Sequence, residues 1–239
     1  ILQAVMGADL VLIAVPVAAT FDVLKAVQFG LHKEALILDV GSTKESVIQS
    51  AIKVFGALPA HFVPSHPIAG KERAGIEEAD ADLYKDKRVI LTPTAQTDAG
   101  ALASAMQVWQ AIGMTTTAMP ADDHDAIFAA VSHFPHLLAF AYMNGISGQA
   151  NARQLLQMAG TGFQDFTRIA ASHPDVWVDI FLANRKEIFK QSGAMITSLS
   201  ILENAMRDGD SAALKDLLTS ASSARSNWTL NSSSAVLDE

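Results

Sequence analysis

The hydrophobic pattern of the chain changes near residue 119, and this change most constrains the fold. Before it, near-continuous apolar runs alternate with stretches of helical period. Such alternation predicts an open, doubly wound parallel sheet with helices on both faces. From Pro120 onward only helical periods remain, so we predict an α/β domain over residues 1–119 and an all-α domain over residues 120–239. The four predicted strands lie within residues 8–16, 35–41, 61–65 and 88–93.

Composition narrows the kind of partner. A formal net charge of -8 leaves no broad basic face for nucleic acid or anionic lipid. The chain has no cysteine, which excludes disulfides, thiolate metal ligands and cysteine nucleophiles. The longest apolar run near the start has about ten residues, roughly half the length of a membrane-spanning helix. We therefore expect a cytoplasmic protein with a small-molecule partner, no nucleic acid and no membrane.

The segments that directly follow the predicted strands are the first candidates for a site. In an open parallel sheet, ligands bind outside the carboxyl ends of the strands. The segments are residues 16–17, 41–44, 65–70 and 92–94. No G-x-G-x-x-G turn occurs in the chain, so these patterns alone do not establish a dinucleotide cofactor.

The stretch DVGSTKES, residues 39–46, leads from a buried strand into a helix through Gly41. Ser42 precedes Glu45 by three residues, which is the spacing of a capping box, so one interpretation is that Ser42 only caps the helix. The other interpretation is that the hydroxyls of Ser42 and Thr43 face the ligand crevice together with free N–H groups of the helix.

The stretch SHPIAGKE, residues 65–72, places a histidine at the end of the third predicted strand. Pro67 keeps His66 extended, and an imidazole titrates near neutral pH. His66 is therefore a candidate general base for a reacting hydroxyl. The alternative is a histidine that bonds only to the backbone of its own loop.

Two patterns in the helical half concern ligands. His133 and His136 have a spacing that can chelate a metal, with His66 or His124 as a third ligand. No H-E-x-x-H motif accompanies them, so we predict no metal site.

The second of these patterns is GTGFQDFTRIA, residues 160–170, which contains an arginine that is suited to a carboxylate. Arg168 either binds such a ligand or pairs with Asp165 on a solvated helix face.

Six segments in register resemble the prephenate and arogenate dehydrogenase family of tyrosine biosynthesis. They are ADLVLIAVPV, LDVGSTK, SHPIAGKERAG, LYKDKRVILTP, VSHFPH and GFQDFTRIAASHPDVWVDIFLANR. The resemblance implies a Rossmann-type NAD(P)-binding domain followed by a helical substrate and dimerisation domain. Members of the family begin with a strand, a G-x-G-x-x-G turn, a helix and a second strand. These elements are absent here, so we expect this sequence to be an incomplete copy that lacks its first βαβ unit.

The resemblance also implies a reaction and the residues that perform it. The reaction is the oxidative decarboxylation of prephenate or arogenate, with hydride transfer to NAD or NADP. His66 matches the catalytic histidine, and Ser42 matches the serine that orients it near the nicotinamide. Arg168 matches the arginine that binds a substrate carboxylate, and His136 matches a histidine of the substrate pocket. The other candidates are Glu72 and Trp177 for the pocket and Val15, Pro16, Val17, Gly41, Ser42 and Thr43 for the cofactor.

Two further functions remain open at this point. Without a phosphate-binding turn, the chain fits a non-catalytic helical dimer module with a remnant sheet. A related NAD(P)-dependent hydroxy acid dehydrogenase is the third hypothesis. The resemblance implies a homodimer, which fits the apolar stripes within residues 174–206. The sequence does not distinguish NAD from NADP or prephenate from arogenate. It also does not show whether tyrosine inhibits the protein.

Overall fold

The computed structural model describes residues 1–70 and 76–229. Glu72, a predicted pocket residue, lies outside the described residues. The chain divides into two compact units, residues 1–188 and residues 189–239. The first unit contains both sheets and every described residue of the predicted site.

The described residues contain six strands in two sheets. The first sheet consists of β1 (Leu10–Ile13), β2 (Leu36–Asp39) and β3 (Phe62–Val63), which are parallel, with β2 in the middle. The second sheet consists of β4 (Ser65–Pro67), β5 (Arg88–Leu91) and β6 (Thr115–Ala118). The predicted Rossmann-like sheet is confirmed, and all four predicted strand regions contain strands.

The third predicted strand differs from the prediction because it is divided at Pro64. Before Pro64, β3 pairs in parallel with β2, and after it, β4 pairs antiparallel with β5. Proline has no N–H to donate to a ladder, which explains the break in pairing at this position. The division turns the segment that carries His66 toward the second sheet.

Apolar residues on both faces of the first sheet explain why helices cover it. Ile37 packs into a cluster with residues of α2 and α3, whereas Leu36 and Leu38 pack into a second cluster with Trp109 of α4. Successive side chains of a strand point to opposite faces, so the continuous apolar run of β2 requires cover on each side. The helices of this half are α1 (Leu2–Val5), α2 (Thr20–Val27), α3 (Glu45–Phe55) and α4 (Ala99–Ala111), and the 3-10 turns are Val17–Ala19 and Ile76–Glu78.

The described residues after Pro120 form helices and short connections, as predicted. A π-helical turn, Ala129–His133, joins two helices directly before Pro135. Proline has no backbone N–H to donate within a regular helix. π-Helical turns often occur at functional sites. The helices are α5 (Ala121–Phe128), α6 (Phe134–Ser147), α7 (Ala152–Gln157), α8 (Thr161–Thr167), α9 (Pro174–Ala183), α10 (Arg185–Arg207) and α11 (Ser211–Asn227), with a 3-10 turn at Arg168–Ala171.

One helical stretch among the described residues, Ala121–Ser147, is long and apolar enough to cross a membrane by length and composition. The same stretch contains His124, Asp125 and His133, which are buried and hydrogen bonded within the first unit. Burying paired polar groups in this way is typical of a helix inside a domain. The expected absence of a membrane segment stays a prediction.

The second unit contains the greater part of α10 and all of α11. Phe189, Ile196 and Leu199 of α10 are 69%, 62% and 51% exposed. Their spacing of seven and three residues places them along one face of the helix. This unit therefore carries an exposed apolar stripe.

Candidate active site

The loop after β2 contains a buried ion pair that fixes the start of β4. Asp39 and Lys44 are both buried, and Nζ of Lys44 donates to Oδ2 of Asp39 at 2.5 Å. The same ammonium donates to the carbonyl oxygen of Ser65 at 2.6 Å, and the Ser65 N–H donates to Oδ1 of Asp39 at 2.8 Å. Burial lowers the pKa of Lys44, and the Asp39 carboxylate opposes this shift. Ser65 is held through both its N–H and its carbonyl, so the backbone of its neighbour His66 has a defined position.

His66 lies on β4 with a partly exposed imidazole. Its Nδ1 lies 2.8 Å from Nε2 of His124, and Phe128 contacts both rings at centroid distances of 4.9 and 4.5 Å. The alternative that His66 bonds only to its own loop is therefore wrong. Burial lowers the pKa of His66 well below its ordinary value, and the charges of His124 and Lys44 add to this shift. His66 is accordingly neutral at physiological pH, as a general base must be.

Asp125 connects the two imidazoles with the start of α3. Its Oδ1 accepts from Nδ1 of His124 at 2.7 Å and from the Lys44 N–H at 2.8 Å, and its Oδ2 accepts from the Glu45 N–H at 3.0 Å. A carboxylate from α5 therefore caps α3, which begins at Glu45. The interpretation of Ser42 as the cap is wrong, because Asp125 takes the free N–H groups and Ser42 lies three residues before the helix.

His133 extends this polar cluster and is buried. Its Nδ1 accepts from Nδ2 of Asn184 at 3.0 Å, and the same amide nitrogen donates to the carbonyl oxygen of Asp125 at 2.7 Å. Burial lowers the pKa of His133 to about 4, and Asp125 partly opposes the shift. Within the described ranges, its Nε2 is buried without a hydrogen-bond partner. The backbone of Ser42 acts on the same imidazole and opposes the lowering of its pKa.

The predicted cofactor residues lie at the carboxyl ends of β1 and β2, which are neighbours because Ile13 pairs with Asp39. Pro16 is exposed, Val15 and Val17 are partly buried, and a 3-10 turn begins at Val17. At Gly41, an added Cβ would lie 2.9 Å from Oδ2 of Asp39, so this position requires glycine.

The two hydroxyls of the β2–α3 loop have different surroundings. Thr43 is fully buried and its hydroxyl lies 2.6 Å from Oγ of Ser46, so the expectation that this hydroxyl faces a crevice is wrong. Ser42 is partly exposed. No hydrogen bond joins Ser42 to His66 in the part of the chain that the structure describes. The orienting role of Ser42 stays a prediction.

The helical half contributes a second group of predicted site residues. His136 stacks on Trp177 with ring centroids 3.6 Å apart, and its Nδ1 donates to the carbonyl oxygen of Ser132 at 2.9 Å. Burial lowers the pKa of His136, and the positive charge of Arg168 lowers it further. Trp177 also lies 6.4 Å from His133, measured between ring centroids, which links this group to the His66 group.

Arg168 is exposed and borders a cavity of about 860 Å³. Phe140 and Phe163 contribute apolar surface to the cavity, and Gln164 contributes an amide. A guanidinium beside apolar walls can bind the carboxylate of a small, partly apolar molecule. The roles predicted for Arg168, His136 and Trp177 stay predictions.

The described residues contain no group of three His, Asp or Glu side chains that could hold a metal ion. His133 and His136 make different contacts, one with Asn184 and the other with Trp177. The expected absence of a metal site stays a prediction.

The sequence prediction missed the network that supports His66. Asp39, Lys44, Asp125 and Asn184 were not recognised as site residues. Two signals were present: an aspartate ends the otherwise apolar run LILD, and His124 and Asp125 are adjacent in sequence. A charged residue in a buried strand requires a partner, and this requirement would have indicated Lys44.

Comparisons with known proteins cover nearly the whole chain. Residues 2–117 match the family model of the prephenate dehydrogenase nucleotide-binding domain. Residues 120–220 match the model of the prephenate dehydrogenase dimerisation domain. These two matches are in the order that the change of hydrophobic pattern predicted.

The similar proteins agree with these models. A cyclohexadienyl dehydrogenase from Zymomonas mobilis is 39% identical over 87% of this chain and 72% of its own length. A prephenate dehydrogenase from Bacillus subtilis is 31% identical over 98% of this chain, but this chain spans only 64% of that relative. A prephenate dehydrogenase from Aquifex aeolicus, solved with hydroxyphenyl propionate and NAD+, has a TM-score of 0.85 at 34% identity and matches 91% of this chain and 76% of its own. The chain belongs to the prephenate dehydrogenase family.

Proposed function

We propose that the protein catalyses the oxidative decarboxylation of prephenate, arogenate or both, with NAD(P)+ as the hydride acceptor, in tyrosine biosynthesis. The observation that carries the proposal is the neutral imidazole of His66, which lies at a strand end of the Rossmann-like half and is held by buried neighbours. Family membership supplies the reaction, and this imidazole supplies the base that the reaction needs.

The residues at the sheet edge fit a nicotinamide cofactor. Residues 15–17 and 41–43 follow adjacent parallel strands, which is where dinucleotides bind in sheets of this kind. The partly exposed Ser42 contributes a hydroxyl there. His133 lies near this edge, since the Ser42 backbone acts on its imidazole and opposes the lowering of its pKa. When bound, the cofactor supplies the acceptor for the hydride.

His66 acts on the substrate hydroxyl. The O–H bond breaks, its proton moves to Nε2 of His66, and the C–H bond on the same ring carbon is cleaved as hydride. The ring carboxylate leaves as carbon dioxide, its bonding electrons complete the aromatic ring, and the electron pair displaced onto the ring oxygen takes the proton back from His66. A lowered pKa keeps His66 unprotonated before the step, so the lone pair is available.

Arg168 binds a carboxylate of the substrate, while His136 and Trp177 form a wall of the pocket. A guanidinium binds a carboxylate through two parallel hydrogen bonds, which fixes the orientation of the ring. The close stacking of His136 on Trp177 provides a flat surface for such a ring. Glu72 remains a candidate for the same pocket.

The wider organisation follows from the same proposal. The cofactor-binding domain comprises residues 1–119 and the helical domain residues 120–239, and the enzyme is a cytoplasmic homodimer. The exposed stripe of Phe189, Ile196 and Leu199 supports dimerisation, because burying it removes apolar surface from water. We expect Ile196→Asp to lower the dimer fraction in sedimentation equilibrium, and an unchanged dimer fraction would contradict this interface.

The experiment that tests the function is a rate assay with the full-length protein. Prephenate and arogenate are each supplied with NAD+ and with NADP+, and both cofactor reduction and release of carbon dioxide are followed. For at least one combination of substrate and cofactor, we expect equal molar amounts of reduced cofactor and carbon dioxide. Titration of each cofactor against the protein is the companion measurement. Cofactor binding without reduction by either substrate would overturn the proposal, and absence of binding would favour the non-catalytic dimer module.

A further inference from the structure

Two buried side chains, Asp125 and His124, form a continuous line with the partly exposed His66, the proposed base. Oδ1 of Asp125 lies 2.7 Å from Nδ1 of His124, and Nε2 of His124 lies 2.8 Å from Nδ1 of His66. Asp125 is 2% exposed and His124 is fully buried. Water therefore does not compete for the two hydrogen bonds.

The order of donors along this line follows from the chemistry of Asp125. An ionised carboxylate has only acceptor atoms, and this one already accepts two backbone N–H groups. His124 must therefore carry its proton on Nδ1, which leaves a lone pair on Nε2. That lone pair can accept only if His66 carries its proton on Nδ1. The remaining nitrogen of His66, Nε2, then has the free lone pair.

We propose that Asp125 and His124 are positioning residues that hold His66 in the tautomer whose Nε2 is unprotonated. The proposal rests on the proposed function, because only a proton acceptor needs this tautomer. Neither residue touches the substrate. When Nε2 of His66 takes up the substrate proton, Nε2 of His124 accepts the hydrogen bond of the resulting imidazolium, and the carboxylate of Asp125 stabilises its charge through His124.

The contacts around the line favour a specific role over simple packing. Phe128 contacts both imidazoles, and so the rings cannot turn freely to exchange their nitrogens. Asp125 is held by the N–H groups of Lys44 and Glu45 at the start of α3. The charged groups that act on His66 and His124 are Asp125, Lys44 and Asp39, and His133 adds a minor influence on His66.

The direct test is the tautomer of His66, measured by nitrogen-15 NMR on full-length enzyme with labelled histidine. His66→Asn identifies the signal of His66. We expect the Nδ1–H form in the wild type, and an Nε2–H form would overturn the proposal. This measurement needs no activity, so it stands even if neither prephenate nor arogenate is oxidised, and that result would count against the proposed function alone.

Two variants separate positioning from structure in rate assays. Asp125→Ala removes the acceptor that fixes the proton of His124 on Nδ1, so both tautomers of His124, and with them both tautomers of His66, become populated. We expect kcat to fall by about 10²–10⁴-fold with KM nearly unchanged. His124→Gln keeps an acceptor near the position of Nε2, so it should retain more activity than His124→Leu.

The control is His32→Gln, which changes an exposed histidine outside the site. It should leave kcat and the NMR signal of His66 unchanged. Equal activity of His124→Gln and His124→Leu, or an unchanged Nδ1–H signal of His66 in folded Asp125→Ala, would contradict the proposal. If Asp125→Ala fails to fold, the NMR signal of His66 in the wild type and the comparison of His124→Gln with His124→Leu decide.

Discussion

The two groups of site residues differ in how their key side chains are held. His66 is hydrogen bonded to the buried imidazole of His124, which is itself hydrogen bonded to the buried carboxylate of Asp125. The ion pair of Asp39 and Lys44 is also buried. Arg168 is exposed at the border of a cavity, next to a stacked histidine and tryptophan. The partners of His66 are buried, whereas Arg168 itself is exposed to solvent.

This difference matches what each side chain has to do. A base needs a fixed tautomer and a lowered pKa, which only buried partners can supply. An arginine that collects a charged ligand from water must remain accessible, and its charge needs no tuning. Changes in the first group should therefore alter kcat or stability, and changes in the second should alter KM.

The largest expected effect is that of His66→Asn. Asparagine cannot accept the substrate proton as imidazole does, so kcat should fall by about 10²–10⁴-fold. The measurement is the rate of cofactor reduction at saturating substrate, together with the Kd for the cofactor, which should stay nearly constant. His32→Asn is the matched control. A His66→Asn enzyme with normal kcat would refute the assignment of the base.

The next effect is on stability and concerns Asp39→Ala. This change leaves the buried ammonium of Lys44 without its carboxylate and should lower the free energy of unfolding by about 3–5 kcal/mol. Urea unfolding measures it, with the exposed Asp9→Ala as control. The double variant Asp39→Ala with Lys44→Met should lose less free energy of unfolding than Asp39→Ala alone. A smaller loss in the single variant than in the double variant would show that the pair is not coupled as described.

A change in the accessible group should be smaller and of a different kind. Arg168→Gln removes charge-assisted hydrogen bonds of about 1.5–3 kcal/mol and should raise KM by roughly 10–100-fold, with a smaller change in kcat. The exposed Arg153 provides the control Arg153→Gln. If Arg168→Gln lowered kcat alone, the contrast between the two groups would be wrong.

The smallest effect is the dependence of stability on pH that comes from His133. Its pKa is about 4 in the folded protein and near 6.5 when unfolded, so the unfolded state binds more protons in this range. Stability should therefore fall as pH falls from about 6.5 toward 4, by about 2 kcal/mol at roughly pH 5. Urea unfolding at about pH 7 and pH 5 should show this loss in the wild type and a smaller loss in His133→Gln. Equal losses in both proteins would exclude His133 as the cause.

The sequence predicted the architecture because hydrophobic period is a local property. The strand runs, the helices with buried Leu24 and Val47, and the change to helices at Pro120 were all readable. The break at Pro64 was not predicted, because the antiparallel pairing of β4 depends on where β5 lies.

The candidate site was only partly predictable for a similar reason. His66 and Arg168 lie in distinctive motifs, whereas the bond between His66 and His124 joins residues 58 positions apart in sequence. The same is true of Asp125, which caps a helix that begins 80 residues earlier. Contacts of this kind depend on tertiary structure, and no local spacing indicates them.

The central claim is that His66 and Arg168 act on one ligand. The most direct measurement is a crystal structure of the full-length enzyme with NAD+ and a hydroxyphenyl carboxylic acid. We expect the ring hydroxyl within hydrogen-bonding distance of Nε2 of His66, and the carboxylate paired with Arg168 of the same or a second copy of the chain. A ligand whose hydroxyl lies away from His66 while its carboxylate binds elsewhere would contradict the account.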